Sequence, residues 1–162
     1  MLLDSIIRLF PPILFSALLG GFSSCGRPKE PSLTTNGTVA SANQGDLAGK
    51  TRFLRRYFKP ARTFEQLEYE VSYQDNSGGR VPGPSDWDIR IIATVPANEL
   101  ASWIPGGATT SQQKRPDWIK PVAGEIPVDH LDEWYVNGST LVGLDRKNRT
   151  VAYWNTTFGL NE

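Results

Sequence analysis

Two acids one residue apart, Asp86 and Asp88 in 83-GPSDWDI-89, have the spacing of paired carboxylates. Alternation along a strand puts both on one face, with Trp87 on the other. Glycoside hydrolysis uses two carboxyl groups about 5–10 Å apart that flank the scissile bond, and an aromatic platform suits a sugar. The plainer role for Asp86 is to cap backbone amides in a turn. His130, in 127-PVDHLDEWY-135, is the only histidine. Asp129 and Asp132 are placed to orient it and Ser139 is near in sequence, yet a Ser-His-Asp hydrolase needs its base beside a nucleophile. The sequence has no G-x-S-x-G elbow, so these acids describe a polar one-turn helix at 129–134. It also has neither zinc-ligand spacing nor a D-x-D-x-D-G calcium loop. The residues predict no metal and no cofactor, and favour a non-catalytic binding or inhibitor domain; a structural protein with no discrete ligand, and a glycan hydrolase using Asp86 and Asp88, stay open as alternatives.

Binding chemistry has stronger candidates. The run 50-KTRFLRRYFKPAR-62 holds six basic residues and no acid. On a helix, Phe53, Leu54, Tyr57 and Phe58 form an apolar stripe flanked by Arg52, Arg55, Arg56, Lys59 and Arg62. Three readings stay open: a first core element whose charges remain in water, a contact with anionic phospholipid headgroups, or a grip on an acidic partner. Trp87, Trp103 and Trp118 lie in segments read as loops, where large aromatics are the natural anchors of a partner surface.

The only cysteine, Cys25, ends the most apolar stretch of the chain. The segment 1-MLLDSIIR-8 is followed by 14 apolar residues from Leu9 to Phe22, interrupted by Pro11 and Pro12. That run is shorter than the roughly 20 residues a membrane-spanning helix needs, and the layout is that of a secretory leader, residues 1–24. Phe22, Ser23, Ser24 and Cys25 together resemble the lipobox of bacterial lipoproteins. The resemblance implies that the leader is removed, that Cys25 carries acyl chains, and that the protein sits in the bacterial cell envelope. Gly26 after the cysteine favours delivery to the outer membrane. The stretch 78-GGRVPGPSDWDIR-90 is similar to segments of uncharacterised small proteobacterial lipoproteins, a likeness that implies no activity. Four N-x-[ST] triplets, at Asn36, Asn137, Asn148 and Asn155, read as chance in that setting.

Removing the leader takes away Arg8 and Asp4, leaving 16 basic and 16 acidic side chains. Such a balance gives no electrostatic case for nucleic acid. The expected partners are the membrane, through the anchor, and an envelope protein or cell-wall component. Residues 25–50 are rich in Ser, Thr, Asn and Gly, which predicts a flexible tether after the lipidated cysteine. Residues 51–162 then form a single domain. Within it, 67-LEYEVSYQ-74 alternates as a half-buried strand, and 88-DIRIIATV-95 reads as a central one buried on both faces. Pro96 opens a predicted helix at 97–104. Residues 105–127 carry four prolines and read as a surface loop around Trp118 and Ile119. A hairpin closes the chain at 139–145 and 150–158, with Asn148 expected in the left-handed region of its turn. The expected class is α+β: a small, mostly antiparallel sheet of four or five strands with one or two short helices packed on one face.

Overall fold

A computed structural model describes residues 36–77, 83–112 and 115–160. Cys25, the leader and the first part of the tether lie outside the described residues. The protein is α+β and built on one antiparallel sheet, but with seven strands rather than four or five. These are β1 (Gly37–Ala40), β2 (Gln66–Gln74), β3 (Asp86–Thr94), β4 (Thr109–Thr110), β5 (Glu133–Asn137), β6 (Thr140–Asp145) and β7 (Thr150–Thr156). Their order across the sheet is β1-β2-β3-β7-β6-β5-β4. Two meanders, β1 to β3 and β4 to β7, therefore meet where β3 pairs with β7, with Arg90 opposite Trp154. The two edge strands are only four and two residues long, short enough to discourage pairing with another chain.

Strand periodicity sorts the side chains onto two faces, and each face is covered by a different long connection. On the first face, Leu67, Tyr69 and Val71 of β2 join Ile89, Ile91 and Ala93 of β3 and Val151 of β7. Helix α1 (Leu47–Leu54) packs on it through Phe53 and Leu54. The connection from β3 to β4 crosses the same face, burying Leu100 and Trp103. The second face carries Ile92, Leu141, Ala152 and Trp154, covered by Trp118, Ile119, Ala123 and Ile126 in the β4–β5 connection. Helix α2 (Ile119–Ala123) forms there. The two helices thus lie on opposite faces, not on one. Ile91 and Ile92 are both fully buried, the double-sided burial expected of a central strand.

Several local expectations are corrected. The tether read through residue 50 gives way to structure at Gly37: β1, a 3-10 turn at Ser41–Gln44, and α1, whose N-terminus Asp46 caps by accepting from the Gly49 N–H at 2.8 Å. The helix predicted at 97–104 is one 3-10 turn, Leu100–Trp103, though both of those residues do face the core. The loop read at 105–127 contains β4 and α2, and Pro121 fits α2 because the first turn has no use for its missing N–H. No helix forms at 129–134; a turn leads directly into β5, whose Trp134 faces the second core. The closing hairpin is present, but Arg149 takes the left-handed conformation at φ 57°, not Asn148. Asn148 is held instead by Asp145, whose carboxylate accepts from its backbone N–H at 3.0 Å and its Nδ2 at 2.6 Å.

Gly143 has a role no other side chain could fill. It lies directly across from Trp134, and a methyl group at Gly143 would fall 2.5 Å from the indole ring. Gly143→Ala should therefore destabilise the domain by about 1–3 kcal/mol, the usual consequence of overfilling a packed core. Urea unfolding monitored by tryptophan fluorescence measures this; an unchanged midpoint would rule out the Trp134–Gly143 contact.

Candidate functional site

Asp86 and Asp88 do share a face of β3, with Trp87 on the other face against Tyr73 at 4.4 Å. Their carboxylates, however, are committed to neighbouring side chains. Asp86 accepts from Asn76 Nδ2 at 2.7 Å and from Thr157 Oγ1 at 3.0 Å. Asp88 lies 3.0 Å from Arg90 Nε and accepts from Trp154 Nε1 at 3.3 Å. Arg90 in turn lies over the rings of Trp118 and Trp154, at 5.8 and 5.6 Å, and 3.7 Å from Glu70. This network pins the β4–β5 connection to the sheet, where a half-buried guanidinium gains from charged and aromatic company.

His130 is exposed in the turn before β5, and Asp129 beside it pairs with Arg115 at 3.3 Å. Ser139 lies beyond the far end of β5, five residues at about 3.4 Å each, so the structure does not bring the two together. Among the described residues no group of three His, Cys, Asp or Glu side chains is placed to hold a metal.

The tryptophans do not form a common surface. Trp103 and Trp118, read as candidate partner contacts, are 3% and 6% exposed and belong to opposite cores. Trp87 is half-buried between Tyr57 and Tyr73. Of the basic run, Phe53, Leu54 and Phe58 enter the first core, while Arg52, Arg55, Arg56 and Lys59 stay exposed. Arg62 is fixed by two 2.6 Å bonds donated to Ser102 and lies over the Trp103 ring at 5.2 Å.

The concavity with convergent polar groups is a groove of about 510 Å³ along β2. One wall is Ser41, Ala42, Leu47 and Lys50; the other is the end of α2, from Pro121 to Ile126. It exists because β1 stops too early. β1 pairs with β2 only from Tyr73 to Glu70, so no strand accompanies Gln66 to Tyr69 on that edge. Ser41 closes part of the gap: its hydroxyl accepts from the Tyr69 N–H at 3.0 Å and donates to Glu68 Oε2 at 2.5 Å. Lys50 Nζ donates to Glu68 Oε1 at 2.7 Å. Alternation along a strand turns the Leu67 N–H and carbonyl toward the same open edge as the Tyr69 N–H. Burial pushes the Tyr69 hydroxyl well above the usual phenol range, and the Glu68 charge adds to the rise.

Sequence reasoning placed Glu68 and Glu70 on a wet strand face and Ser41 in a tether, and so missed this groove. The one visible signal was Lys50, where the tether read at 25–50 meets the basic run at 50–62.

Ser41→Ala should cost about 1–3 kcal/mol, because it strands the buried Tyr69 N–H and frees Glu68. Thermal unfolding measures the loss; stability unchanged within about 0.5 kcal/mol would mean the hydroxyl is not the clasp of this edge. No protein-family model matches the chain, and no curated protein or solved structure is significantly similar to it.

Proposed function

We propose that this protein is a lipid-anchored cell-envelope domain that binds, without catalysis, an extended segment of a partner protein along the open edge of β2. The observation that carries this reading is the groove itself. It runs beside the part of β2 left without a neighbouring strand where β1 ends opposite Glu70, an edge that Ser41 clasps through the Tyr69 N–H and that a partner strand would take over. Adding a strand to such an edge is a recurrent way of recognising peptides, with main-chain hydrogen bonds giving affinity and flanking pockets giving selectivity. Glu125, exposed where it lines the groove, favours a segment that carries hydrogen-bond donors or positive charge.

The side chains in reach are poorly suited to a reaction. The Ser41 hydroxyl is buried, gives its proton to Glu68 and takes the Tyr69 N–H. Glu68 is already neutralised by Lys50 at 2.7 Å. On the neighbouring strand the Asp86 and Asp88 carboxylates hold Asn76, Thr157, Arg90 and Trp154 rather than facing a free cleft. The lipobox-like residues Phe22 to Cys25 supply the location: acylation at Cys25 keeps the domain at the envelope, with the outer membrane favoured.

Affinity capture from detergent-solubilised envelopes with the tagged mature protein tests the reading. One stoichiometric partner is expected, lost in Ala42→Trp, which fills the groove from an exposed wall position. A partner retained by that variant, or no partner at all, would contradict strand addition at β2.

A further inference from the structure

The exposed basic residues that the core left over have a second place in the fold. Arg52, Arg55, Arg56 and Lys59 all reach solvent from the end of α1 and the turns after it. A second groove, about 730 Å³, lies between α1 and the chain leading into β2. Arg52, Arg55 and Arg62 line it together with the hydroxyls of Thr51 and Thr63, over Leu47 and Phe64. Arg62 is held in position by its two bonds to Ser102, so this wall is preformed. The acids nearby are already engaged. Asp46 caps α1, and Glu99 accepts from the Thr63 N–H at 3.0 Å, a bond that holds its carboxyl below the usual range.

We propose that this face of α1 is a contact surface for the headgroups of anionic phospholipid and that it sets how the domain stands on its membrane. Three observations select a lipid surface as the occupant. The charge along the segment is of one sign, Arg52, Arg55, Arg56, Lys59 and Arg62 with no acid among them, while Lys50 turns to Glu68 in the first groove. Guanidinium and hydroxyl groups together are what a phosphodiester requires. The third is the path of the chain. β1, the first described strand, and α1 lie on the same β1–β2 side of the sheet. Only ten residues lie between Cys25 and Asn36, a span of at most about 40 Å when fully extended. A domain held that close meets the surface at high effective concentration, so a contact too weak to recruit it still orients it. Each cation that meets the surface favours an anionic over a neutral one by about fivefold. The orienting role rests on the acylated Cys25 of the proposed function; the lipid contact itself does not.

The test uses the chain from Gly26, which contains every described strand and both cores but no anchor, so its outcome is independent of lipidation. It is floated with vesicles of pure phosphatidylcholine and with vesicles that also contain phosphatidylglycerol. Binding is expected to the second kind only, and to fade as salt shortens the screening length from about 30 Å at 0.01 M to about 8 Å at 0.15 M. Arg52→Gln, Arg55→Gln and Arg56→Gln should each weaken it by about fivefold. Lys120→Gln, at an exposed position of α2 on the opposite face, should leave it unchanged, as should the circular dichroism of every variant. No flotation with phosphatidylglycerol at low salt, or equal loss in Lys120→Gln, would overturn the proposal. So would an acidic envelope protein captured through these arginines while vesicles are ignored.

Discussion

The fold depends on burying β3 from both sides. Ile91 and Ile92 are adjacent in sequence, point to opposite faces and are each sealed from water. A sheet with apolar residues on both faces is stable only if something covers both, and each such side chain contributes about 1.5–3 kcal/mol when buried. Among the described residues no α-helix exceeds eight residues. Cover comes instead from α1 and the route from β3 to β4 over one face, and from the route from β4 to β5 over the other. The route from β4 to β5 returns to its own edge, so these strands are neighbours, whereas the route from β3 to β4 carries the chain to the far edge of the sheet.

Coverage is incomplete, and the incomplete part is where recognition chemistry collects. On the second face the apolar patch is centred on Ile92, Ala152 and Trp154, while β2 contributes Glu68 and Glu70. The short helix α2 seals the apolar patch and ends at Gly124, whose φ of 56° turns the chain away beside Glu68. What remains next to it is a polar trough with a strand edge for a floor. Two carboxylates of the trough are paired, Glu68 with Lys50 and Glu70 with Arg90.

The strongly periodic parts of this architecture were legible. The alternation of 67-LEYEVSYQ-74 and the apolar density of 88-DIRIIATV-95 correspond to β2 and β3, antiparallel neighbours, and the closing hairpin is β6–β7. The remainder was hidden for identifiable reasons. β1 and β4 are too short to show a period, and exist because a longer neighbour supplies the pairing. The segment 129-DHLDEW-134 has helix-like polarity, yet Trp134 is drawn into β5 by the space over Gly143. Trp118 and Ile119 stand among prolines, which hid that their neighbours form a turn of helix over an uncovered core. The trough was invisible because it arises where β1 ends, a property of length and not of residue type. An isolated Gly inside a strand does mark a close approach, and at Gly143 that signal went unread.

Native-state hydrogen exchange on the chain from Gly26 reaches the claim of two-sided cover most directly. Amides of Ile91 and Ile92 should exchange only with global unfolding, while Val122, bonded to the Trp118 carbonyl at 3.3 Å, and Val39, paired with Val71, should both be slowed well below free-chain rates. If Val122 exchanged as fast as an unstructured peptide while β3 stayed protected, the second face would have no lid. The account of the sheet, and of the trough beside it, would then be wrong.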